Sequence, residues 1–332
     1  MISFIYPSRI KDSNLGDVLI NTLLVREISK YGTVYFDGEI PSLHELIVSN
    51  NKFASNIIVV KGIDSFEGKP LLRWINLLKV ANKVSYTFDP PGAYFEGNNY
   101  FKSKLKFYKY YLRARILKKL FNVDMLRWGI SLGPYSEKGY NDQKLLTNVY
   151  CDVAVRDSQN YRVLEQKSFE NISLIDDLAF LYNKDDFKVL IDNNSDKQKF
   201  SNRYIVLSLR GNIEGHVLNE VYLNAVSVKV LELIKNFFVD IPDIVLAYQV
   251  VEDFESLVFV KSYLEQNGVK VILVDKQLDF ASAIGLYSKA EFVVTNRLHV
   301  ALLAILNDTV PIITTELASH HKLVNIFTDL HL

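Results

Sequence analysis

Three arginines and one histidine carry most of the chemistry legible in this sequence. Arg156, Arg210 and Arg297 each follow a short aliphatic run that reads as a buried strand, and His299 stands two residues after the last of them. A guanidinium offers a planar fork of donors that fits carboxylate or phosphate bidentately. An imidazole close by can move protons near neutral pH. The pattern is densest in EFVVTNRLHVALLAIL, Glu291 to Leu306. Phe292 to Thr295 is the β-branched run, and from Arg297 onward the stretch is apolar nearly all round, as in a buried helix. Asn296, Arg297 and His299 then fall at a strand's carboxyl end and a helix's first turn. Open α/β sheets place ligands there, and helix amides favour an anion there. A guanidinium in that position opposes the helix macrodipole at a cost on the order of a few tenths of a kcal/mol. An anionic ligand would offset both. The competing reading is a solvated arginine and a histidine bonded to a carbonyl.

Other carboxylates stand at similar places. Val155-Arg156-Asp157-Ser158 repeats the strand, basic residue and helix arrangement, with Asp157 or Ser158 able to cap the helix. Ser173 to Asp177 is a strand leading into two carboxylates. Near the start, Asn14-Leu15-Gly16-Asp17 ends the loop after the first strand. Asp17 there either caps the next helix or meets a sugar hydroxyl. Several chemistries are disfavoured. No GxxxxGK[ST] loop, GxGxxG turn after a strand, GxSxG elbow or ligand spacing for catalytic zinc is present. No cofactor and no metal are expected.

The elements that must position these residues alternate in type. Strand-like runs at ISFIY, TVYFD, NIIVV and KVSYTF are separated by helical patterns, and the alternation restarts at Tyr204. That rhythm predicts an α/β chain with largely parallel sheets. Its 332 residues suit two Rossmann-like domains facing across a cleft. The expected division is 1–183, a polar linker at 184–203, and 204–332. With 38 basic and 38 acidic residues, no global field points to nucleic acid. A single cysteine, Cys151, fits a reducing compartment, and the start turns polar too early for a signal peptide. A cytoplasmic protein is expected.

Residues 98–123 break the rhythm, with eight Lys or Arg and no acid. On a helical wheel Leu105, Tyr108, Leu112 and Ile116 form a stripe. Lys102, Lys106, Lys109 and Arg113 flank it on one side, and Lys104, Arg115 and Lys118 on the other. The pattern suits peripheral contact with the anionic inner face of a membrane. It equally suits a helix packed on its domain with a solvated basic face. Basic and aromatic interleaving also occurs in single-strand binders, but no nucleic-acid module accompanies it, and no nucleic-acid partner is expected.

In order and spacing, these motifs resemble the polysaccharide pyruvyl transferase family over nearly the whole chain. The resemblance rests on Asn14 to Asp17, Gly129-Ile130-Ser131-Leu132-Gly133-Pro134, Val155 to Ser158 and Asp177-Leu178-Ala179-Phe180. It continues through Ser208-Leu209-Arg210, Arg297-Leu298-His299, Val310-Pro311 and Lys322. One departure is Phe88-Asp89-Pro90-Pro91-Gly92, where the family often has a glycine-rich turn. The resemblance implies a GT-B-like fold with an acceptor side in the first domain and a phosphoenolpyruvate side in the second. It implies transfer of an enolpyruvyl unit onto a sugar of a capsule, exopolysaccharide or lipid-linked precursor, without a required metal. Carried onto this chain, Arg156 and Arg297 clamp phosphoenolpyruvate and His299 protonates its methylene carbon. Lys322 and Arg210 steady the departing phosphate, and Asp17 or Asp177 orients the acceptor hydroxyl. Gly16, Asn296 and Leu298 complete the substrate contacts. The rival reading is a GT-B glycosyltransferase using a nucleotide-sugar donor.

Overall fold

A computed structural model describes residues 2–7, 14–37, 41–60, 70–81, 83–97, 100–188, 200, 203–211, 218–238, 240, 243–315 and 321–332. The chain divides into two compact units. The first comprises Met1–Asp12, Asp17–Leu181 and Asn325–Leu332, and the second Ser13–Gly16 and Tyr182–Val324.

In the first unit the elements run β1 (Ile2–Tyr6), α1 (Leu15–Ser29), β2 (Gly32–Asp37), α2 (Pro41–Val48), β3 (Ile57–Val60), α3 (Pro70–Val80) and β4 (Tyr86–Asp89). They continue with β5 (Gly92–Tyr94), α4 (Tyr100–Phe121), β6 (Asp124–Leu132), α5 (Glu137–Thr147), β7 (Asp152–Val155), α6 (Ser158–Gln166) and β8 (Ile172–Leu174). The sheet order is β3-β2-β1-β4-β6-β7-β8, with β5 pairing the far half of β6. Every strand pair is parallel. Parallel strands need both faces covered, which is why Ile5, Tyr6, Phe88 and Val153 to Val155 are aliphatic or aromatic and buried. At Gly129 the β6–β7 register shifts, and the backbone takes a positive φ of 69°. A Cβ there would strike Leu178, so the turn requires glycine.

The second unit contains β9 (Tyr204–Ser208), α7 (Glu220–Phe237), β10 (Asp243–Leu246), α8 (Phe254–Gln266), β11 (Ile272–Leu273) and α9 (Phe280–Tyr287). These are followed by β12 (Phe292–Thr295), α10 (Leu298–Leu306), β13 (Val310–Ile313) and α11 (His321–Asp329). Its sheet is parallel in the order β11-β10-β9-β12-β13. Helix α10 buries Val300, Ala301, Leu302, Leu303 and Ala304, which accounts for its apolar character on every side.

The division differs from the expected one at two places. The start of the expected linker belongs to the second unit: Phe187 is fully buried, its ring stacks on Tyr182, and the Tyr182 hydroxyl donates to Asn307 Oδ1 at 3.1 Å. Residues 189–199, 201 and 202 of that linker lie outside the described residues. At the other end, Asn325 to Leu332 cluster with the first unit. There the Asp329 carboxylate accepts from Ser158 N at 2.7 Å, and Asn325 Nδ2 donates to Asp157 at 3.1 Å.

Candidate functional site

Each sheet has a topological switch point, where neighbouring strands send their connections in opposite directions and leave a crevice at the carboxyl ends. In the first unit it falls between β1 and β4, and in the second between β9 and β12.

At the first switch point, α1 begins at Leu15, so Asp17 lies inside its first turn and does not cap it. Asn14 takes that place, its Oδ1 accepting from Gly16 N at 3.1 Å. Asn21 Nδ2 donates to the Asp17 carbonyl at 2.7 Å, and the Tyr6 hydroxyl donates to Asn21 Oδ1. Burial raises the Tyr6 phenol well above its ordinary range, and Tyr94, Asp89 and Asp17 add to the effect. Asp17 is therefore within electrostatic reach of the buried end of β1.

The end of β4 holds a cluster that sequence reasoning missed. The Asp89 carboxylate accepts from Arg113 Nη2, from Arg127 Nη2 at 2.7 Å and Nε at 3.2 Å, and from the Tyr150 hydroxyl. Arg127 lies 4.6 Å from the ring centres of both Tyr94 and Tyr150. Burial alone would push the Asp89 carboxyl up, but the two guanidiniums hold it well below the usual carboxylate range. Asp89 stands in the segment that departs from the glycine-rich turn. Its only signal in the sequence is an aspartate ending an apolar strand.

Arg156 and Asp177 meet in the first unit. Arg156 Nη1 donates to Asp177 Oδ2 at 2.9 Å and Nε to Ser131 Oγ at 3.0 Å, and both residues are buried. Asp177 Oδ1 also accepts from Ala179 N at 2.9 Å. The amino end of α6, beside Arg156, is covered as well. Asp157 caps it through Asn160 N at 2.8 Å, and Asp329 covers Ser158 N. A helix end already holding two carboxylates has little attraction left for an anion. Arg156 and Asp177, both expected to contact substrate, form a buried ion pair with each other.

The second switch point differs in charge. Leu209-Arg210 leaves β9, Asn296-Arg297 leaves β12, and Thr314-Thr315 leaves β13, on three adjacent strands. Asn296 is buried, its Oδ1 accepting from Arg210 N and its Nδ2 donating to Arg210 O, both at 2.7 Å. Nδ2 also reaches the Tyr222 hydroxyl at 2.9 Å. This amide, expected among the substrate contacts, holds the backbone of Arg210. Thr295 Oγ1 donates to Ser208 O at 2.6 Å and accepts from Arg297 N at 3.0 Å, fixing the start of α10. Arg297 Nη2 pairs with Asp253, while its Nε is buried with no hydrogen-bond partner among the described residues.

Burial lowers the Arg210 pKa, and the charge of Arg297 lowers it further, so the two guanidiniums repel. Burial raises the carboxyl of Asp253 even though both arginines pull it down. Two cations thus face one buried carboxylate at the amino end of a buried helix. The hydroxyls of Thr314 and Thr315 are also buried without a hydrogen-bond partner among the described residues. Leu298 and His299 form the first turn of α10 and are half-buried. A Cβ on Gly16, which clusters with this unit, would strike His299 Nδ1. Lys322 lies in the first turn of α11, half-buried. A separate cleft of about 480 Å³ is lined by Leu218, Tyr248, Phe254, Glu252, Glu255 and Asp275.

Two parallel sheets, each with a switch-point crevice, define a GT-B-type protein built from two Rossmann-like domains. Solved structures share the fold. The UDP-GlcNAc 2-epimerase of Methanocaldococcus jannaschii is 12% identical with a TM-score of 0.56, over 100% of this chain and 92% of that one. A putative UDP-N-acetylglucosamine 2-epimerase of Listeria monocytogenes is 13% identical with a TM-score of 0.58, over 97% and 82%. Anabaena Alr3699/HepE, solved with UDP-glucose, is 10% identical with a TM-score of 0.54, over 99% and 90%. No curated sequence matches significantly. The polysaccharide pyruvyl transferase family model matches residues 14–314, and the chain belongs to that family.

Proposed function

We propose that this protein moves the enolpyruvyl unit of phosphoenolpyruvate onto two hydroxyls of a sugar in a cell-surface polysaccharide or its lipid-linked precursor. The product is a pyruvate ketal, and phosphate is released. The observation that carries this reading is a pair of mutually repelling guanidiniums at the second switch point, where Arg210 and Arg297 leave adjacent strands beside the first-turn amides of α10 and the buried carboxylate among them is Asp253. A small ester bearing a carboxylate and a phosphate is the kind of ligand that offsets two repelling guanidiniums.

In this scheme Arg297 and Arg210 hold the donor, and His299 gives a proton to its methylene carbon. The neighbouring carbon becomes electrophilic, and one acceptor hydroxyl oxygen bonds to it. The second hydroxyl oxygen then displaces phosphate at the same carbon. Of the two hydroxyl protons, one restores His299 and the other leaves with phosphate, so the sum is donor plus diol giving ketal plus phosphate. Lys322 adds charge for the departing phosphate, and Asp17 orients the acceptor. Arg156, matched by Asp177, supports its own unit and is not assigned to the donor.

A nucleotide-sugar donor is the second reading. It is favoured by the cleft beside Tyr248 and Phe254, whose Glu252, Glu255 and Asp275 could accept from sugar hydroxyls. The same carboxylates would repel phosphoenolpyruvate. Thermal-shift titration separates the two, since a ligand of the native state raises Tm by mass action. Phosphoenolpyruvate should raise Tm in the wild type and fail to do so in Arg297→Ala. A shift with UDP-sugars alone would favour the second reading.

A further inference from the structure

Helix α4 has two apolar faces, and the core uses only one of them. Inward, Phe107, Ala114 and Leu117 pack with Trp74, Met125 and Val153. Outward, Phe101 is 85% exposed, Leu105 58%, Tyr108 54% and Leu112 61%. These four follow the i, i+4, i+7, i+11 spacing that aligns side chains along one side of a helix. Ile116, which the wheel adds to this stripe, is half-buried, and Arg113, expected on its solvated shoulder, is buried against Asp89.

The charge that α4 itself carries has one sign. The 22-residue helix carries eight Lys or Arg and no acid. Lys104 and Lys118 find partners in Asp142 and Asp124. Lys106 and Lys109, exposed beside the stripe, make no ion pair among the described residues. Like charges four apart on one helix, such as Lys102 and Lys106 or Arg115 and Lys119, cost stability, and packing the inner face does not require them.

We propose that the outward face of α4 lays the protein on an anionic phospholipid surface. Phe101, Leu105, Tyr108 and Leu112 would enter the acyl boundary, and the flanking lysines would meet lipid phosphates. Charge decides against a second copy of this face, because its lysines would be set against each other. The two leucines within the stripe suit acyl chains better than base stacking. No described helix is long and apolar enough to cross a membrane, so the contact would run along the surface. The inference does not depend on the identity of the donor.

The test is flotation of the full chain with vesicles of phosphatidylcholine alone or mixed equally with phosphatidylglycerol. The protein should float with the mixture, remain behind with phosphatidylcholine alone, and be released by high salt. Lys106→Glu with Lys109→Glu should lower partitioning at least about tenfold. Leu105→Ser with Leu112→Ser should lower it comparably, with unchanged circular dichroism because both leucines are exposed. Absence of flotation, equal flotation with neutral vesicles, or variants that float as the wild type does would overturn the proposal. So would variants that float normally but dissociate a dimer in sedimentation or lose binding to single-stranded RNA.

Discussion

Arg156 and Asp177, twenty-one residues apart in the chain, are joined by a 2.9 Å bond from Nη1 to Oδ2 and are both buried. Ser131 accepts the Arg156 Nε, so the pair is locked on two sides. Breaking a buried ion pair from one side leaves an uncompensated charge and typically costs about 3–5 kcal/mol. Asp177→Asn should therefore lower unfolding stability by that order in denaturant titration. A double-mutant cycle with Arg156→Met should show strong coupling. Two single losses that simply add would mean the residues act independently.

The Asp89 cluster makes a pH prediction. Because the folded carboxyl is depressed, its contribution is fully present above the unfolded value of about 3.9. The contribution fades as pH falls through that value toward the folded one. Stability should thus decline below about pH 5, and Asp89→Asn should flatten that part of the decline while lowering the plateau by about 3–5 kcal/mol. The check is urea unfolding across pH 3–7. An identical acid slope in the variant would assign the loss to other carboxylates.

Gly16 supplies a test of His299 that keeps the imidazole but shifts its position. Alanine suits a helix better than glycine by about 1 kcal/mol, so Gly16→Ala should not harm folding through the backbone. Its Cβ would displace His299. If His299 is the proton donor, turnover should fall about a hundredfold, since small misplacements of a reacting group are that costly. Normal kcat would mean that the ring can move aside without consequence or is not the acid.

Much of this architecture could be read in the chain, because parallel strands buried on both faces must be written as aliphatic runs. Phe292 to Thr295, Tyr204 to Ser208 and Asp152 to Val155 are strands, and the arginines after them lie at carboxyl ends. Their partners were not legible. That Arg156 meets Asp177, that Arg297 meets Asp253, and that Asn296 grips the backbone of Arg210 all depend on strand order. The same limit hid the Arg113–Asp89–Arg127 cluster, drawn from a helix and two strands. In the stripe on α4, periodicity identified most of the aligned residues, but only packing decides which apolar face turns inward.

The two guanidiniums of the second switch point should act together. Arg210→Ala and Arg297→Ala should each weaken phosphoenolpyruvate binding by about tenfold or more, as expected for loss of a charge-assisted hydrogen bond worth about 1.5–3 kcal/mol. Isothermal titration reads this directly. Arg297→Lys should not restore the affinity, because an ammonium lacks the planar fork. Full binding by either alanine variant would remove that arginine from the donor site.

The most direct test is to incubate the protein with phosphoenolpyruvate and a panel of glycan acceptors, following phosphate release and acceptor mass together. Phosphate should appear in step with acceptor that has gained one pyruvate ketal, and His299→Ala should abolish both. Glycosyl transfer from a nucleotide sugar, with phosphoenolpyruvate left intact across the panel, would contradict the account.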